Sequence, residues 1–143
     1  MLKLNDSGLL RDRCCVGGEW LAAPDGASIE VRNPATGALL GTVPDMRAQG
    51  ARQAIEQAHQ ALAGWRARTG KERAAVLRRW YELTVQHVQD LATILTAEQG
   101  KPLAEARGEI LLGANYLEWF GEEAKRIYGE IIPGHQSDKR LLV

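Results

Sequence analysis

The chain has 143 residues, the length of a single domain. Its 18 basic and 18 acidic residues give a formal net charge of zero, and neither sign collects in one half of the sequence. Because nucleic acids and anionic membranes attract basic patches, we expect neither as a partner. The composition, 45% hydrophobic and 25% charged, is that of an ordinary globular protein and indicates no particular activity.

Nothing in the sequence has the length of a secretory signal or of a membrane span. The two cysteines, Cys14 and Cys15, are adjacent. Neighbouring residues of a strand point to opposite faces, so a disulfide between them would need a strained turn. We therefore interpret them as reduced thiols rather than a redox pair, and we predict a cytoplasmic protein.

The first part of the chain predicts an antiparallel ribbon over about 13–44. Segments 14–16 and 19–21 flank Gly17-Gly18, a two-residue loop that closes tight hairpins. Segment 28–32 alternates polar and apolar residues, and segment 39–43 predicts the next strand. Between them, Asn-Pro-Ala-Thr-Gly at 33–37 predicts a turn.

Three amphipathic helices follow, over about 48–66, 70–99 and 102–128, because apolar residues recur there with helical spacing. Thr69 and Glu72 predict a capping box, and Gly100 predicts a helix end. The predicted buried stripes are, in turn, Ala51, Ala54, Ile55, Ala58, Ala61, Leu62 and Trp65; Leu77, Trp80 or Tyr81, Thr84, Val88, Leu91 and Leu95; and Leu103, Ala106, Ile110, Ala114, Leu117, Phe120, Ala124 and Ile127. These elements predict the α+β fold class. Residues 140–143 predict a further strand, for which we identify no pairing partner.

Two groups of acidic residues are candidates for chemistry. Glu56 and His59 have the Glu-x-x-His spacing that di-iron helical bundles use. Such a site requires a second pair of this kind. The pair at 56 and 59 also lies off the predicted apolar stripe of its helix. The pairs Glu105/Glu109 and Glu118/Glu122 each share a helix face and offer acid–base or metal chemistry. We favour a solvated face, since Glu122 precedes Arg126 by four residues and predicts an ion pair.

Six basic side chains crowd one stretch and offer a phosphate site: Arg66, Arg68, Lys71, Arg73, Arg78 and Arg79. Glu72 and Glu82 lie among them, and long basic stems often cover apolar edges, so we favour that structural interpretation. Gly100-Lys101 lacks the preceding glycine of a phosphate-binding loop. By themselves, these residues define no active site.

Four segments in order resemble N-terminal landmarks of the aldehyde dehydrogenase superfamily. They are Gly-Gly-Glu-Trp at 17–20, Asn-Pro-Ala-Thr-Gly at 33–37, Gly-Thr-Val-Pro at 41–44 and Glu-Gln-Gly-Lys-Pro at 98–102. Segments 100–106, 116–120, 125–129 and 133–136 are similar to one branch, the bacterial succinate-semialdehyde dehydrogenases. The resemblance covers nearly the whole chain.

The resemblance implies the N-terminal part of the α/β aldehyde dehydrogenase fold. Residues 1–129 would begin the nucleotide-binding domain, against which the ribbon and helices pack. Residues 130–143 would begin an oligomerisation strand, which implies a homo-oligomer and accounts for the strand without a partner. The family oxidises an aldehyde through a thiohemiacetal on a cysteine, transfers hydride to NAD or NADP, and hydrolyses the thioester.

In that family, the catalytic cysteine, the glutamate, the oxyanion-hole asparagine and the cofactor-contacting residues all lie beyond the position that matches 143. The resemblance therefore implies no catalytic or cofactor-binding residue in this chain, and we expect the chain alone to be inactive. Many members also bind a structural monovalent cation, through an acidic residue before Gly-Lys-Pro and a main-chain carbonyl before the Asn-Pro turn. The matching positions are Glu98 and Val31. The alternative is that Glu98 only ends a helix.

The leading hypothesis is an N-terminal segment of an enzyme that oxidises succinate semialdehyde to succinate with NAD(P)+. The alternatives are a non-catalytic helical scaffold or interaction domain, and a dehydrogenase for another semialdehyde such as glutarate semialdehyde. Because the apolar stripes would lack the domain that covers them, we also expect the chain by itself to self-associate or to be partly disordered.

Overall fold

The computed structural model describes residues 2–142. A 3-10 turn, Ser7–Leu9, precedes the other elements. The elements that follow are, in chain order, β1 (Cys14–Val16), β2 (Glu19–Leu21), β3 (Ser28–Arg32), β4 (Leu39–Pro44), α1 (Arg47–Ala67), α2 (Gly70–Gln86), α3 (Val88–Gln99), α4 (Leu103–Glu123), β5 (Ile131–Ile132) and β6 (Leu141–Leu142). The predicted α+β class is confirmed.

The antiparallel ribbon predicted over 13–44 is present as two separate two-stranded sheets. Strands β1 and β2 pair through the predicted loop, where Gly17 and Gly18 have φ of +61° and +88°, as a tight hairpin requires. Among residues 2–142, strand β3 pairs only with β4. A turn at Ala23, which accepts a hydrogen bond from the Gly26 N–H at 3.0 Å, ends the first hairpin and separates it from the second.

The predicted turn at 33–37 is confirmed and packs directly on the end of α3. The Asn33 side-chain oxygen accepts hydrogen bonds from the N–H groups of Ala35 and Thr36 at 2.9 and 3.1 Å. Gly100 caps α3 with φ of +87°, the left-handed conformation that favours glycine. A Cβ at Gly100 would lie 2.9 Å from Cγ of Pro34, so this contact also excludes larger residues.

The single helix predicted over 70–99 is wrong, because the chain bends at His87. That residue has φ of −101° and ψ of 16°, and it separates α2 from α3. Just before the bend, the Thr84 hydroxyl donates to the Trp80 carbonyl at 2.9 Å, a bond of the kind that bends helices. The bend allows both α2 and α3 to pack on α4.

The capping box that begins α2 is confirmed. The Thr69 hydroxyl oxygen accepts a hydrogen bond from the Glu72 N–H at 3.3 Å, and the Glu72 carboxylate accepts from the Thr69 N–H at 2.8 Å and from its hydroxyl at 2.7 Å. These hydrogen bonds favour the charged form and lower the pKa of Glu72. Helix α1 agrees with its prediction to within a residue, although Met46 before it provides no side-chain cap.

The third predicted helix, over 102–128, ends earlier than expected, at Glu123. The backbone then tightens: the N–H groups of Lys125 and Arg126 donate to carbonyls three residues earlier. The tightening occurs where α4 meets the start of α2, since a Cβ at Gly70 would lie 2.6 Å from the Ala124 carbonyl oxygen. Contact between these two helix ends therefore accompanies the early termination of α4.

The strand near the end of the chain has a partner, contrary to the prediction. Strand β6 pairs antiparallel with β5 in a ladder of two residue pairs. The return of the chain is tight at Gly134, where a Cβ would lie 2.5 Å from the Lys139 carbonyl oxygen. Val143, the last residue of the predicted strand, lies outside the described residues.

The interior consists of small side chains. Its buried apolar members are Val16, Ala23, Ala74, Ala92, Ala97, Ala106 and Ala114. No large side chain in the described part of the chain is fully buried, and the accessible surface is 10821 Å². A compact monomer of this mass would expose roughly 7,300 Å². No helix among residues 2–142 is long and apolar enough to cross a membrane.

The predicted buried stripes are therefore only partly correct. The stripe of α1 is wrong for its large residues: Ile55, Leu62 and Trp65 are exposed. Helix α1 meets the first hairpin at Gln57, which lies beside Gly17. On α2, Tyr81 rather than Trp80 faces inward. On α4, the inward residues include Ile110, Ala114 and Leu117, whereas the predicted Leu103, Phe120 and Ile127 are exposed.

One carboxylate attaches the N-terminal arm, residues 2–12, to α3. Asp90 is only 4% exposed. It accepts hydrogen bonds from the N–H groups of Asn5 and Asp6 at 2.9 and 2.8 Å, and from the Asn5 side-chain amide at 3.0 Å. The backbone donors of Asn5 and Asp6 are the main reason why the pKa of Asp90 lies below its ordinary value. The sequence analysis missed this contact, which joins residues far apart in the chain.

The substitution Gly100→Ala should lower the free energy of unfolding by about 1–2 kcal/mol, because a side chain is strained at this φ and also meets Pro34. The matched control is Gly108→Ala within α4, where an added Cβ meets no atom within 4 Å. That change should stabilise the protein by about 0.5–1 kcal/mol. Urea unfolding measures both. A Gly100→Ala protein as stable as wild type would contradict the close contact.

The Asp90 contact should make stability depend on pH in the acidic range. Since the pKa of Asp90 is lower in the folded than in the unfolded protein, its stabilising contribution is present above the ordinary value of 3.8 and is lost as the pH falls through the folded pKa. The difference in unfolding free energy between wild type and Asp90→Asn should therefore be largest near neutral pH and shrink below about pH 4. Asp138→Asn, at an exposed aspartate, serves as control. A difference that does not change with pH would exclude this linkage.

Candidate functional site

The two residues predicted to hold a cation lie in one pocket. Val31 of β3 and Glu98 near the end of α3 both line a cavity of about 300 Å³. The pocket has three walls, formed by the hairpin β3–β4, the last turn of α3 and the N-terminal arm. Its lining residues are Leu10, Arg11, Asp12, Val31, Leu40, Gly41, Thr42, Val43 and Glu98.

The side chains of this pocket that could bind a cation would do so through oxygen atoms. Glu98 and Asp12 carry carboxylates and Thr42 carries a hydroxyl, while the ladder of β3 and β4 is irregular at Val31. Oxygen donors of this kind suit hard cations. Arg11 also lines the pocket, and its guanidinium lies 4.9 Å from the ring centroid of Trp20.

A cation in this pocket would depend on backbone carbonyls as well as on side chains. Among residues 2–142, no group of three or more histidines, cysteines, aspartates or glutamates is arranged to hold a metal ion. Glu98 itself is exposed, whereas Val31 is half-buried in its strand. The chemistry of the donor set therefore fits a weakly held monovalent cation better than a transition metal.

The Glu-x-x-His pair lies on a solvated face, as predicted. Glu56 and His59 are exposed on α1, and the Glu56 carboxylate accepts a hydrogen bond from the Gln60 amide at 3.5 Å. No second metal-binding pair lies beside them within the described residues. This pair therefore offers no support for di-iron chemistry.

Three of the four paired carboxylates of α4, all except Glu105, form ion pairs within the described residues. Glu118 pairs with Arg78 of α2 at 2.9 Å, and Glu109 pairs with Lys101. These are ion pairs at the protein surface, where each pair contributes little to stability. They provide a structural role for these carboxylates rather than a catalytic one.

The ion pair predicted between Glu122 and Arg126 is wrong. Glu122 pairs with Lys125 at 2.8 Å, and this hydrogen bond lowers the pKa of Glu122. Arg126 pairs instead with Glu123. Both contacts have a spacing of three residues rather than four, because the backbone tightens where α4 ends.

The basic cluster covers aromatic surface, in agreement with the structural interpretation. Arg68 lies 5.7 Å from the ring centroid of Trp65, and Arg78 lies 5.1 Å from that of Tyr81. Arg78 also donates to Glu82 at 3.2 Å, and this hydrogen bond raises the pKa of Arg78. These side chains are occupied by contacts within the protein.

Helix α4 is apolar on two sides. One side packs on α2 and α3, while the other carries Leu112, Tyr116, Trp119 and Phe120, which together with Asn115 line an open groove of about 290 Å³. Trp119 is 62% exposed, and the rings of Tyr116 and Phe120 stack with centroids 6.4 Å apart. We call these four residues the outer face of α4. A helix that is apolar all round is typical of the interior of a larger structure.

The sequence analysis missed the outer face of α4, although a signal was present. Leu112, Tyr116 and Trp119 have the spacing of a second helical stripe. A similar uncovered groove of about 540 Å³ runs along α1, lined by Ala58, Ala61, Leu62, Gly64, Trp65 and Arg68. Uncovered apolar faces of this size are rare on monomers and mark contact surfaces.

Comparison with known proteins agrees with the fold and with the landmarks. The family model described as the aldehyde dehydrogenase family matches residues 20–143. The succinate-semialdehyde dehydrogenase (NADP(+)) of Escherichia coli and the glutarate-semialdehyde dehydrogenase of Pseudomonas putida are each 57% identical over 142 residues. Each match covers 99% of this chain and 30% of the relative. This chain thus spans less than a third of the length of these relatives.

A solved structure gives the same result. The crystal structure of an NADP-dependent enzyme from E. coli matches with a TM-score of 0.94 and 57% identity, over 98% of this chain and 29% of the other. The four helices and small antiparallel sheets are the N-terminal part of the aldehyde dehydrogenase fold, as the resemblance predicted. The chain belongs to the aldehyde dehydrogenase family.

Proposed function

We propose that this chain is the N-terminal part of an NAD(P)-dependent dehydrogenase that oxidises succinate semialdehyde to succinate in the cytoplasm. The observation that carries this proposal is the 57% identity to a succinate-semialdehyde dehydrogenase over 99% of the chain. A relative named for glutarate semialdehyde is equally identical, which favours glutarate semialdehyde as the second candidate. The two substrates differ by one methylene group.

None of the residues described here is assigned to the chemical step. The reaction requires a nucleophilic thiolate, and the nicotinamide accepts the hydride when it is bound. Cys14 and Cys15 are free thiols in β1, the first half-buried and the second exposed. We propose that neither is the nucleophile, and that the catalytic and cofactor-binding groups belong to the longer protein.

In the longer protein, this chain would pack on the rest of the nucleotide-binding domain and contribute to contacts between subunits. We propose that residues 1–129 form the N-terminal part of the nucleotide-binding domain and pack on the rest of it through the outer face of α4. The large apolar surface left exposed supports this. Residues 130–143 would begin the oligomerisation region of a homo-oligomer. In support, β5 and β6 form a sheet of only two strands, whose outer edges can pair with further strands.

We also propose that the pocket between β3 and α3 holds a structural monovalent cation. The Glu98 carboxylate and the main-chain carbonyl of Val31 would bind it. The support is that both residues line the same cavity with other oxygen donors. The cation would join the end of α3 to the hairpin, beside the contact between Gly100 and Pro34.

The proposed activity is tested by comparing the full-length gene product with the 143-residue chain. Only the full-length protein should reduce NAD+ or NADP+ in the presence of succinate semialdehyde, as followed by the absorbance of the reduced nicotinamide. Because one methylene group changes specificity by about 10-fold or more, kcat/KM should favour succinate over glutarate semialdehyde by roughly that factor. The opposite preference would select the second candidate. Turnover by the 143-residue chain would contradict the proposal that the catalytic groups belong to the longer protein.

If the outer face of α4 is covered in the full-length protein, one substitution should have different effects in the 143-residue chain and in the full-length protein. In the 143-residue chain, Trp119→Glu should reduce self-association in sedimentation experiments, because it removes an exposed apolar ring. In the full-length protein, the same change should lower the free energy of unfolding by about 3 kcal/mol or more, because it places a charge in a covered face.

The matched control for Trp119→Glu is Glu105→Gln, at an exposed position of the same helix, which should alter neither property. A short chain that sediments as a compact monomer would contradict the proposal. So would a full-length Trp119→Glu protein with the stability of wild type.

A further inference from the structure

The N-terminal arm is attached to α3 near the start of that helix. Asp90 accepts three hydrogen bonds, all from the arm residues Asn5 and Asp6, at distances between 2.8 and 3.0 Å. Burial of a carboxylate is unfavourable unless hydrogen-bond donors replace the lost water. The three arm donors fill this role, so the arm and Asp90 stabilise each other's position.

The segment that leads from this attachment to the cation pocket is structured. The Asp6 carboxylate accepts a hydrogen bond from the Gly8 N–H at 2.9 Å, and the Asp6 carbonyl accepts one from the Leu9 N–H at 3.2 Å. The chain then reaches the pocket, where residues 10–12 form one wall. There the Arg11 guanidinium lies over the ring of Trp20. The arm is therefore held at both ends.

Helix α3 carries both the attachment point and the acidic residue of the pocket. Asp90 and Glu98 are eight residues apart on this helix, which corresponds to roughly 12 Å along its axis. Loss of the attachment would leave the wall at 10–12 without its support on the helical side.

We propose that Asp90 is a positioning residue for the cation pocket. It holds the arm along α3, so that residues 10–12 form a wall of the pocket beside Glu98, and it does so without touching the cation. With that wall in place, the carboxylates of Asp12 and Glu98 line the same pocket, and both attract a cation. This inference rests on the proposed cation site at Val31 and Glu98.

The test uses thallium(I) as the probe cation and the full-length gene product. Thallium NMR measures the dissociation constant, and amide hydrogen exchange measures the protection of residues 7–12. Asp90→Asn should weaken thallium binding about 10-fold, an effect typical of residues that orient a metal site from outside it, and should speed exchange in the arm. Deletion of residues 2–6 should do the same while Asp90 remains present, which provides a second variant if Asp90→Asn does not fold.

Two further variants separate the attachment from the site. Glu98→Gln should abolish saturable thallium binding and leave exchange in the arm unchanged. Glu105→Gln, exposed on α4, should change neither measurement.

Faster exchange in the arm with an unchanged dissociation constant, in either the Asp90→Asn or the deletion variant, would overturn the role of Asp90 and leave the cation site intact. No saturable binding by the wild type would overturn the cation site, and this inference with it.

Discussion

Close packing of α2 and α3 on α4 through small side chains is the constraint on which the rest of the structure depends. Ala74, Ala92, Ala106 and Ala114 are buried at these helices, and a Cβ at Gly121 would lie 3.5 Å from Cβ of Leu77. Because the helices meet closely on alanine and glycine, no large side chain of the described residues is fully buried between them. Many larger apolar side chains face outward, and the accessible surface is correspondingly large.

Helix α3 connects this helical layer to the remaining elements. Asp90, near its start, binds the N-terminal arm, and Glu98, near its end, lines the pocket with the hairpin β3–β4. Gly100 then receives the Asn-Pro turn. The bend at His87 separates α3 from α2, so the axis of α3 does not have to continue that of α2. One short helix thereby holds together three segments that are distant in sequence.

Under the proposed function, this arrangement matters through the surfaces that the chain would supply to a longer protein. Many of its charged side chains are in surface ion pairs, and its cysteines are free thiols in a hairpin. Its distinctive features are instead the outer face of α4 and a small pocket of oxygen donors. Both features fit the supporting role that we propose for this chain.

The sequence by itself determined the features that depend on neighbouring residues. The Gly17-Gly18 hairpin, the Thr69–Glu72 capping box and the Gly100 helix end agree with the structure, because each is governed by local backbone conformation and local hydrogen bonds. Val31 and Glu98, which the family resemblance matches to a cation site, line one pocket in the structure. Only the tertiary structure decided the bend at His87, the attachment of the arm to Asp90, the pairing of β5 with β6 and the choice of which apolar stripe is covered. These depend on contacts between distant segments, whose free energy local patterns of polarity and propensity do not contain.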